Sequence, residues 1–172
     1  MDHINFLKDV KNSINIWVLK LILFLILGLS IPQVTFTQPN WVPGTPSVPS
    51  TGPLTITTNY GIDRVGTVYI IVYNWKVENV FTGFDVKIRA QAGPDPNAGR
   101  VATAIIPISS GDVGQVLQRI FDVYNANAIH TIFFAAENGG LQANAIRIYA
   151  TTLPCPKVQL FTFFGNVGEC VN

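Results

Sequence analysis

From Leu54 onward the chain is written in short runs in which apolar and polar side chains alternate, the period of a half-buried strand. In Leu54-Thr-Ile-Thr-Thr-Asn-Tyr60 the residues Leu54, Ile56 and Thr58 share one face, and Gly61 to Gly66 then turns the chain. Thr67 to Trp75 is nearly continuous in β-branched and aromatic residues, with Val68, Ile70 and Val72 opposed to Tyr69, Ile71 and Tyr73. A strand apolar on both faces belongs at the centre of its sheet. Val101 to Ile108 and Thr131 to Ala136 read as further strands. Glu137-Asn-Gly-Gly140 is a tight turn, because Asn and Gly accept the positive φ it needs, and Ala145 to Ala150 alternates on its far side. Gly93-Pro-Asp-Pro-Asn-Ala-Gly99 and Ser109 to Asp112 are loops on turn chemistry alone, and Pro154 and Pro156 end the sheet. This pattern predicts an all-β, antiparallel fold.

Two windows fit either a strand or a helix. Between Val77 and Ala92, Phe84, Val86 and Ile88 alternate with Asp85, Lys87 and Arg89, and a further strand and a short helix are both open. Between Val113 and Tyr124, the residues Val113, Val116, Leu117, Ile120, Phe121 and Tyr124 fall at helical i, i+3, i+4, i+7 spacing. Strands on either side make a strand with an irregular end an equal alternative, and periodicity does not decide so short a window.

The N-terminal segment follows another pattern. Met1 to Lys20 is polar with Lys8, Lys11 and Lys20, and Leu21 to Leu29 is an unbroken apolar run. A basic flank and a short apolar core are the parts of a signal peptide. The run is shorter than the ~20 residues that cross a bilayer core. Thr35-Phe36-Thr37 offers small residues for cleavage before Gln38. An uncleaved signal anchor starting near Ile14 is the alternative. Gln38 to Pro53 is rich in proline and runs extended, its end available as an edge strand. The expected organisation is therefore a signal peptide over 1–37, a Pro-rich leader over 38–53, a sandwich over 54–153, and a Cys-containing tail or the start of a truncated next domain over 154–172.

Composition narrows the partners. The chain is 48% hydrophobic and 12% charged, against about 25% charged in an ordinary soluble domain. From Gln38 onward, Asp and Glu match Lys and Arg one for one. Nucleic-acid binders need a basic face to displace counterions from phosphates, and no stretch here supplies one, so nucleic acid is set aside.

Gly66-Thr-Val-Tyr-Ile-Ile-Val72, then His130-Thr-Ile-Phe-Phe-Ala-Ala-Glu-Asn-Gly-Gly-Leu-Gln142, then Ile146-Arg-Ile-Tyr-Ala-Thr-Thr152 resemble the fibronectin type III and immunoglobulin-like modules of bacterial secreted and cell-surface proteins. Those modules repeat a G-x-V-Y strand, a Y-x-V-Y-x-V-A-E-D hairpin running on to G-N-L-Q, and a last strand ending in T-T. The resemblance covers roughly Trp41 to Leu153 and implies an immunoglobulin-like (fibronectin type III-like) antiparallel β-sandwich. It departs at His130, where the family often carries a tyrosine whose hydroxyl pins a corner of the sandwich to upstream backbone. Either an imidazole N–H substitutes for that hydroxyl, or the corner is weaker or built differently and the strand boundaries near Asn125 to Ile129 shift with it.

Reactive groups are few. His3 lies in the N-terminal segment, so a Ser-His-Asp arrangement would need His130, and no G-x-S-x-G elbow accompanies it. No His/Cys cluster has metal-ligand spacing, and Asp95 and Asn97 read as turn formers before they read as a calcium site. No catalytic, cofactor or metal residue is therefore expected, and the chain is read as not an enzyme. Cys155 and Cys170 are the only cysteines and would pair in an oxidising compartment. Closing the loop between them would add about 3 kcal/mol of stability on the chain-entropy account. Trp75 and the hairpin residues Glu137 and Asn138 are the candidate contacts for a partner. Trp41, Tyr60 and Tyr73 join Trp75 as candidate stacking faces for a carbohydrate, although aromatic residues of sandwiches more often fill the core. The expected function is a secreted, non-enzymatic structural or adhesive module of the cell surface, whose partners are other domains or surface proteins. The alternatives are a carbohydrate-binding module, or a self-assembling subunit that pairs through an edge strand at Val158 to Phe164. Membrane contact is expected only through the signal segment.

Overall fold

The computed structural model describes Val18, Lys20 and residues 37–156 of the 172-residue chain. The signal segment, the tail strand expected at Val158 to Phe164, and Cys170 with its pairing to Cys155 lie outside those residues. Among the described residues, no helix is long and apolar enough to cross a membrane.

The fold is predominantly β: two antiparallel sheets and one helix. Its strands are β1 (Ser47–Thr51), β2 (Thr55–Tyr60), β3 (Gly66–Tyr73), β4 (Arg100–Ile108), β5 (Leu117–Asp122), β6 (Ile129–Asn138), β7 (Gly140–Leu141) and β8 (Ile146–Thr151). The helix α1 spans Gly83–Ala92, and a short 3₁₀ turn spans Pro96–Ala98. One sheet has the order β1-β2-β5; the other runs β4-β3-β6, with β7 and β8 both paired to β6.

The β3 strand occupies the centre of the larger sheet, as its doubly apolar sequence predicts, and every residue from Val68 to Tyr73 is buried. Its two faces serve two cores. Val68, Ile70 and Val72, with Ile132, Phe134 and Ala136 of β6, meet Ile56, Tyr60 and Phe121 of the smaller sheet to fill the sandwich. On the reverse face, Tyr69, Ile71, Tyr73, Phe133 and Ala135 pack against Val77, Phe81, Val86 and Ala90. The all-β expectation holds for the two sheets, and one helix is added to it: the larger sheet is too apolar on its outer face to meet water, and α1 covers it.

The first ambiguous window is therefore helical. Thr82 caps α1, its hydroxyl accepting from the backbone N–H of Asp85, while the Asp85 carboxylate accepts from the N–H of Thr82. Only Gly83, Val86 and Ala90 of α1 are buried, spaced three and four apart, so the alternation of Phe84, Val86 and Ile88 does not describe its buried face. Gly83 is required where it stands, because a Cβ there would overlap the carbonyl oxygen of Gln142.

The second window is a strand. β5 pairs with β2 from Tyr60 opposite Leu117 to Thr55 opposite Asp122. Phe121 enters the core, while Val116, Ile120 and Tyr124 are exposed. The helical spacing came from apolar residues on both faces of an edge strand.

The Pro-rich leader belongs to the structure. Its end forms β1, whose pairing with β2 is interrupted between Ser47 and Ser50, where Pro49 supplies no N–H. Trp41 packs edge-to-face on Phe134, ring centres 6.4 Å apart, and so docks the leader on the sandwich core.

The sheet–helix layer gives the first prediction. Phe133 is buried and stacked on Phe81 with ring centres 4.5 Å apart. Phe133→Ala should destabilise the fold by about 3–5 kcal/mol, and Thr82→Ala by about 1 kcal/mol through the lost cap. Urea unfolding at neutral pH measures both.

Candidate interaction surfaces

His130 is fully buried at the head of β6. Its Nδ1 lies 3.2 Å from the carbonyl oxygen of Tyr73, at the end of β3, and its Nε2 lies 3.1 Å from the carbonyl oxygen of Asn125. The ring therefore ties the strand to backbone five residues upstream, the part a corner tyrosine hydroxyl plays. Thr152 completes the corner, donating to the same Asn125 carbonyl at 2.8 Å and accepting from the N–H of Ala128 at 3.1 Å. Neither imidazole nitrogen is open to a substrate.

At the opposite end of β6, Glu137 is bound into the fold. Lys87 of α1 donates to both carboxylate oxygens at 2.7 Å, and the phenol of Tyr69 donates to one of them at 2.7 Å. These bonds hold the Glu137 carboxyl below its ordinary value, the Lys87 bond contributing most. Burial first, then the bond to Glu137, pushes Tyr69 up to about 12. The cluster fastens helix to sheet. Asn138 follows it in the hairpin, half-buried and paired with Gly140 across Gly139, whose φ is +64°.

Trp75 stands far from both. Glu137 is opposite Thr67 in the β3–β6 ladder, and Trp75 follows the other end of β3, so roughly 25 Å of strand separates them. The nominated contacts do not form one site. The Trp75 ring covers Gly99, where φ is +69° and a Cβ would overlap the ring, and the side chain remains 47% exposed. Beside it, Asn74 Oδ1 is a buried acceptor without a hydrogen-bond partner among the described residues. Of the other aromatics considered for stacking on a sugar, Tyr60 and Tyr73 are buried and Trp41 packs against the core.

Most of the other acidic groups serve turns and caps, while Asp122 is exposed on β5 and Glu78 pairs with Lys76 at the surface. Asp95 accepts from the N–H of Ala98, and Asp112 accepts from the hydroxyl and N–H of Ser109. Asp63 is held by Arg64 and Asn40, chiefly the Arg64 bond, which keeps its carboxyl far below the usual carboxylate range. The exposed apolar groups lie elsewhere. Phe84 and Ile88 form a short stripe on the outer side of α1, and Val116, Ile120 and Tyr124 flank and occupy β5. The β5 group did not stand out in the sequence, because its spacing is shared by an amphipathic helix.

No family model, no curated protein and no solved structure matches this chain.

The Glu137 cluster has a pH signature. A carboxyl held below its ordinary value of 4.5 contributes stability that is complete above that value and is lost as pH falls through the lowered one. A phenol raised from 10.0 to about 12 contributes stability that is complete below pH 10 and is lost as pH rises through 12. Glu137→Gln should therefore be less stable than the wild type at pH 7, and the gap should narrow as pH falls below 4.5. Urea midpoints over a pH series from 7 downward measure it; a gap that stays constant would show that Glu137 acts through packing alone.

Proposed function

We propose that the chain is a secreted, non-enzymatic structural or adhesive module of the cell surface, built on an immunoglobulin-like sandwich of the fibronectin type III kind. Strand order supports the architecture. In immunoglobulin lettering, β1, β2 and β5 take the places of A, B and E, and β4, β3, β6 and β8 those of C′, C, F and G. The corner made by His130 falls at the start of the F position, where such sandwiches carry their corner tyrosine. The helix between the C and C′ positions is this chain's own addition.

One observation carries the functional half: among the described residues, the one histidine and most of the acidic side chains spend their bonds on the frame, while Glu78 and Asp122 stand exposed at the surface. His130 pins a corner, Glu137 docks the helix, the Asp85 carboxylate caps it by accepting from the N–H of Thr82, and Asp63, Asp95 and Asp112 brace turns. A frame held in this way acts by presenting loops and sheet edges to a partner. The basic flank and apolar run before Gln38 support an extracytoplasmic position. A membrane-impermeant amine reagent should label the chain on intact producing cells, at the exposed Lys76, and the purified chain should turn over neither polysaccharide nor peptide substrates. Labelling that requires lysis, or turnover abolished by His130→Ala in a variant that still folds, would overturn this reading.

A second reading, carbohydrate binding, is favoured by Trp75 with the adjacent orphaned acceptor of Asn74. It predicts retention on an insoluble glycan, weakened about tenfold in Trp75→Ala through loss of the stacking face. Equal retention of variant and wild type, or none on any glycan, counts against it.

A further inference from the structure

Apart from the two-residue β7, the described sheets end on four strands, and three of them are guarded. β1 carries Pro49 and an irregular register, and β4 carries Pro107. β8 is flanked by the β1 segment, with Leu153 donating its N–H to the Gly52 carbonyl at 3.0 Å and the Thr51 hydroxyl donating to the Thr151 carbonyl at 2.9 Å. Prolines, bulges, lysines and covering segments are the usual means of keeping a sheet edge from pairing with another chain. β5, Leu-Gln-Arg-Ile-Phe-Asp, has no proline, no lysine and a regular register, and among the described residues no strand lies on its outer side.

The direction of its backbone groups is fixed by its bonds to β2. The N–H of Val123 donates to the Leu54 carbonyl at 2.9 Å, and the Arg119 carbonyl accepts from the Thr58 hydroxyl at 3.1 Å, so the odd-numbered residues face β2. Because direction alternates along an antiparallel strand, Gln118, Ile120 and Asp122 aim both N–H and C=O at the open side. Ile120 is at the midpoint of that set.

We propose that the open edge of β5 binds a second copy of the same edge, antiparallel, across a two-fold axis through Ile120. In this register Ile120 lies against Ile120 of the other copy, Gln118 opposite Asp122, and Val116 opposite Tyr124. The three large apolar residues that this segment leaves exposed, at 53%, 60% and 62%, are thereby all matched, and the Gln118 amide meets the Asp122 carboxylate. Arg119, whose guanidinium already lies 6.0 Å from the Phe121 ring centre of its own chain, meets the Phe121 of the other. The outward backbone groups exchange about six hydrogen bonds. A slip of two residues removes the match of Val116 with Tyr124, and a slip of one turns the outer face inward. The contact is isologous, so it closes as a dimer rather than growing as a fibre. Two three-stranded sheets become one of six strands. An interface of one strand per copy is at the small end of specific contacts, so the dimer is expected to be weak and concentration-dependent. The pairing rests on the fold and not on where the chain resides, so it goes beyond the reading above.

Sedimentation of the full chain over a concentration series should show a monomer–dimer equilibrium. Ile120→Lys should raise the dissociation constant about 100-fold, since it sets two like charges opposite each other at the axis. Its thermal unfolding as a monomer should match the wild type, because the side chain is solvent-facing in one copy. Under mild oxidation, Ile120→Cys should give chains linked at position 120, where paired Cα atoms lie about 5.5 Å apart, while Gln118→Cys should give no link at position 118; peptide mapping separates these from links through Cys155 and Cys170. A wild type that stays monomeric, a dimer that survives Ile120→Lys, or linkage at 118 in place of 120 would each overturn the pairing. Surface labelling of intact cells with the Ile120→Lys variant tests the surface-module reading separately, since a monomer still labelled there leaves that reading standing.

Discussion

The structure depends on a single strand that must be dry on both sides. β3 runs from Gly66 to Tyr73 with Val68, Ile70 and Val72 on one face and Tyr69, Ile71 and Tyr73 on the other. A strand of this kind cannot remain at the surface of a two-layer sandwich, because burial of each such side chain is worth about 1.5–3 kcal/mol. The smaller sheet satisfies one face. The other requires a third layer, and the chain supplies it locally, in the connection from β3 to β4. That explains why a helix interrupts an otherwise β-rich chain: Val86 and Ala90 of α1, with Val77 and Phe81 before it, cover Tyr69, Ile71, Tyr73, Phe133 and Ala135.

Fixing the layers leaves orientation and ends to be set, and polar groups do this. The Lys87–Glu137–Tyr69 cluster locks α1 to β6 and β3 at one end. His130 and Thr152 lock the β5–β6 connection at the other. In between, Arg147 and Tyr149 of β8 hold the loop that leads to α1, through the carbonyls of Glu78 and Val77 at 2.7 and 3.1 Å. Each is an ionisable or hydroxyl-bearing side chain that bonds to backbone or to side chains of another element, so each fastens two parts of the frame together.

The parts legible in the sequence were those set by near neighbours. Alternation in Leu54 to Tyr60, the doubly apolar run of β3 and the Asn-Gly-Gly hairpin all encode local geometry, and each element formed where the residues put it. His130 was legible as a corner residue only through its place in a resembling pattern. The illegible parts are non-local or degenerate. Glu137 meets Lys87 and Tyr69 across 50 and 68 residues, and nothing in the hairpin announces either partner. In α1 the short capping signal of Thr82 and Asp85 competed with an apolar alternation that suited a strand. In β5, apolar residues on both faces of a strand imitated the spacing of a helix, because a chain with Phe121 inside and Ile120 outside carries adjacent apolar positions in either state.

That last degeneracy carries a physical message. An edge strand with one solvated face has every reason to put polar residues there, and β2, its neighbour, does so with Thr55, Thr57 and Asn59. β5 instead places Ile120 in the same outer row, beside Thr57. The smaller sheet cannot use that side chain in a single copy, since its core face is already filled by Ile56, Tyr60 and Phe121. A leucine-sized apolar group held in water at the middle of an unguarded edge is a cost to the isolated chain and a gain only when something covers it. The symmetric spacing of Val116 and Tyr124 about Ile120 makes the edge complementary to itself, and the unbroken register with β2 holds the outward backbone groups in one row.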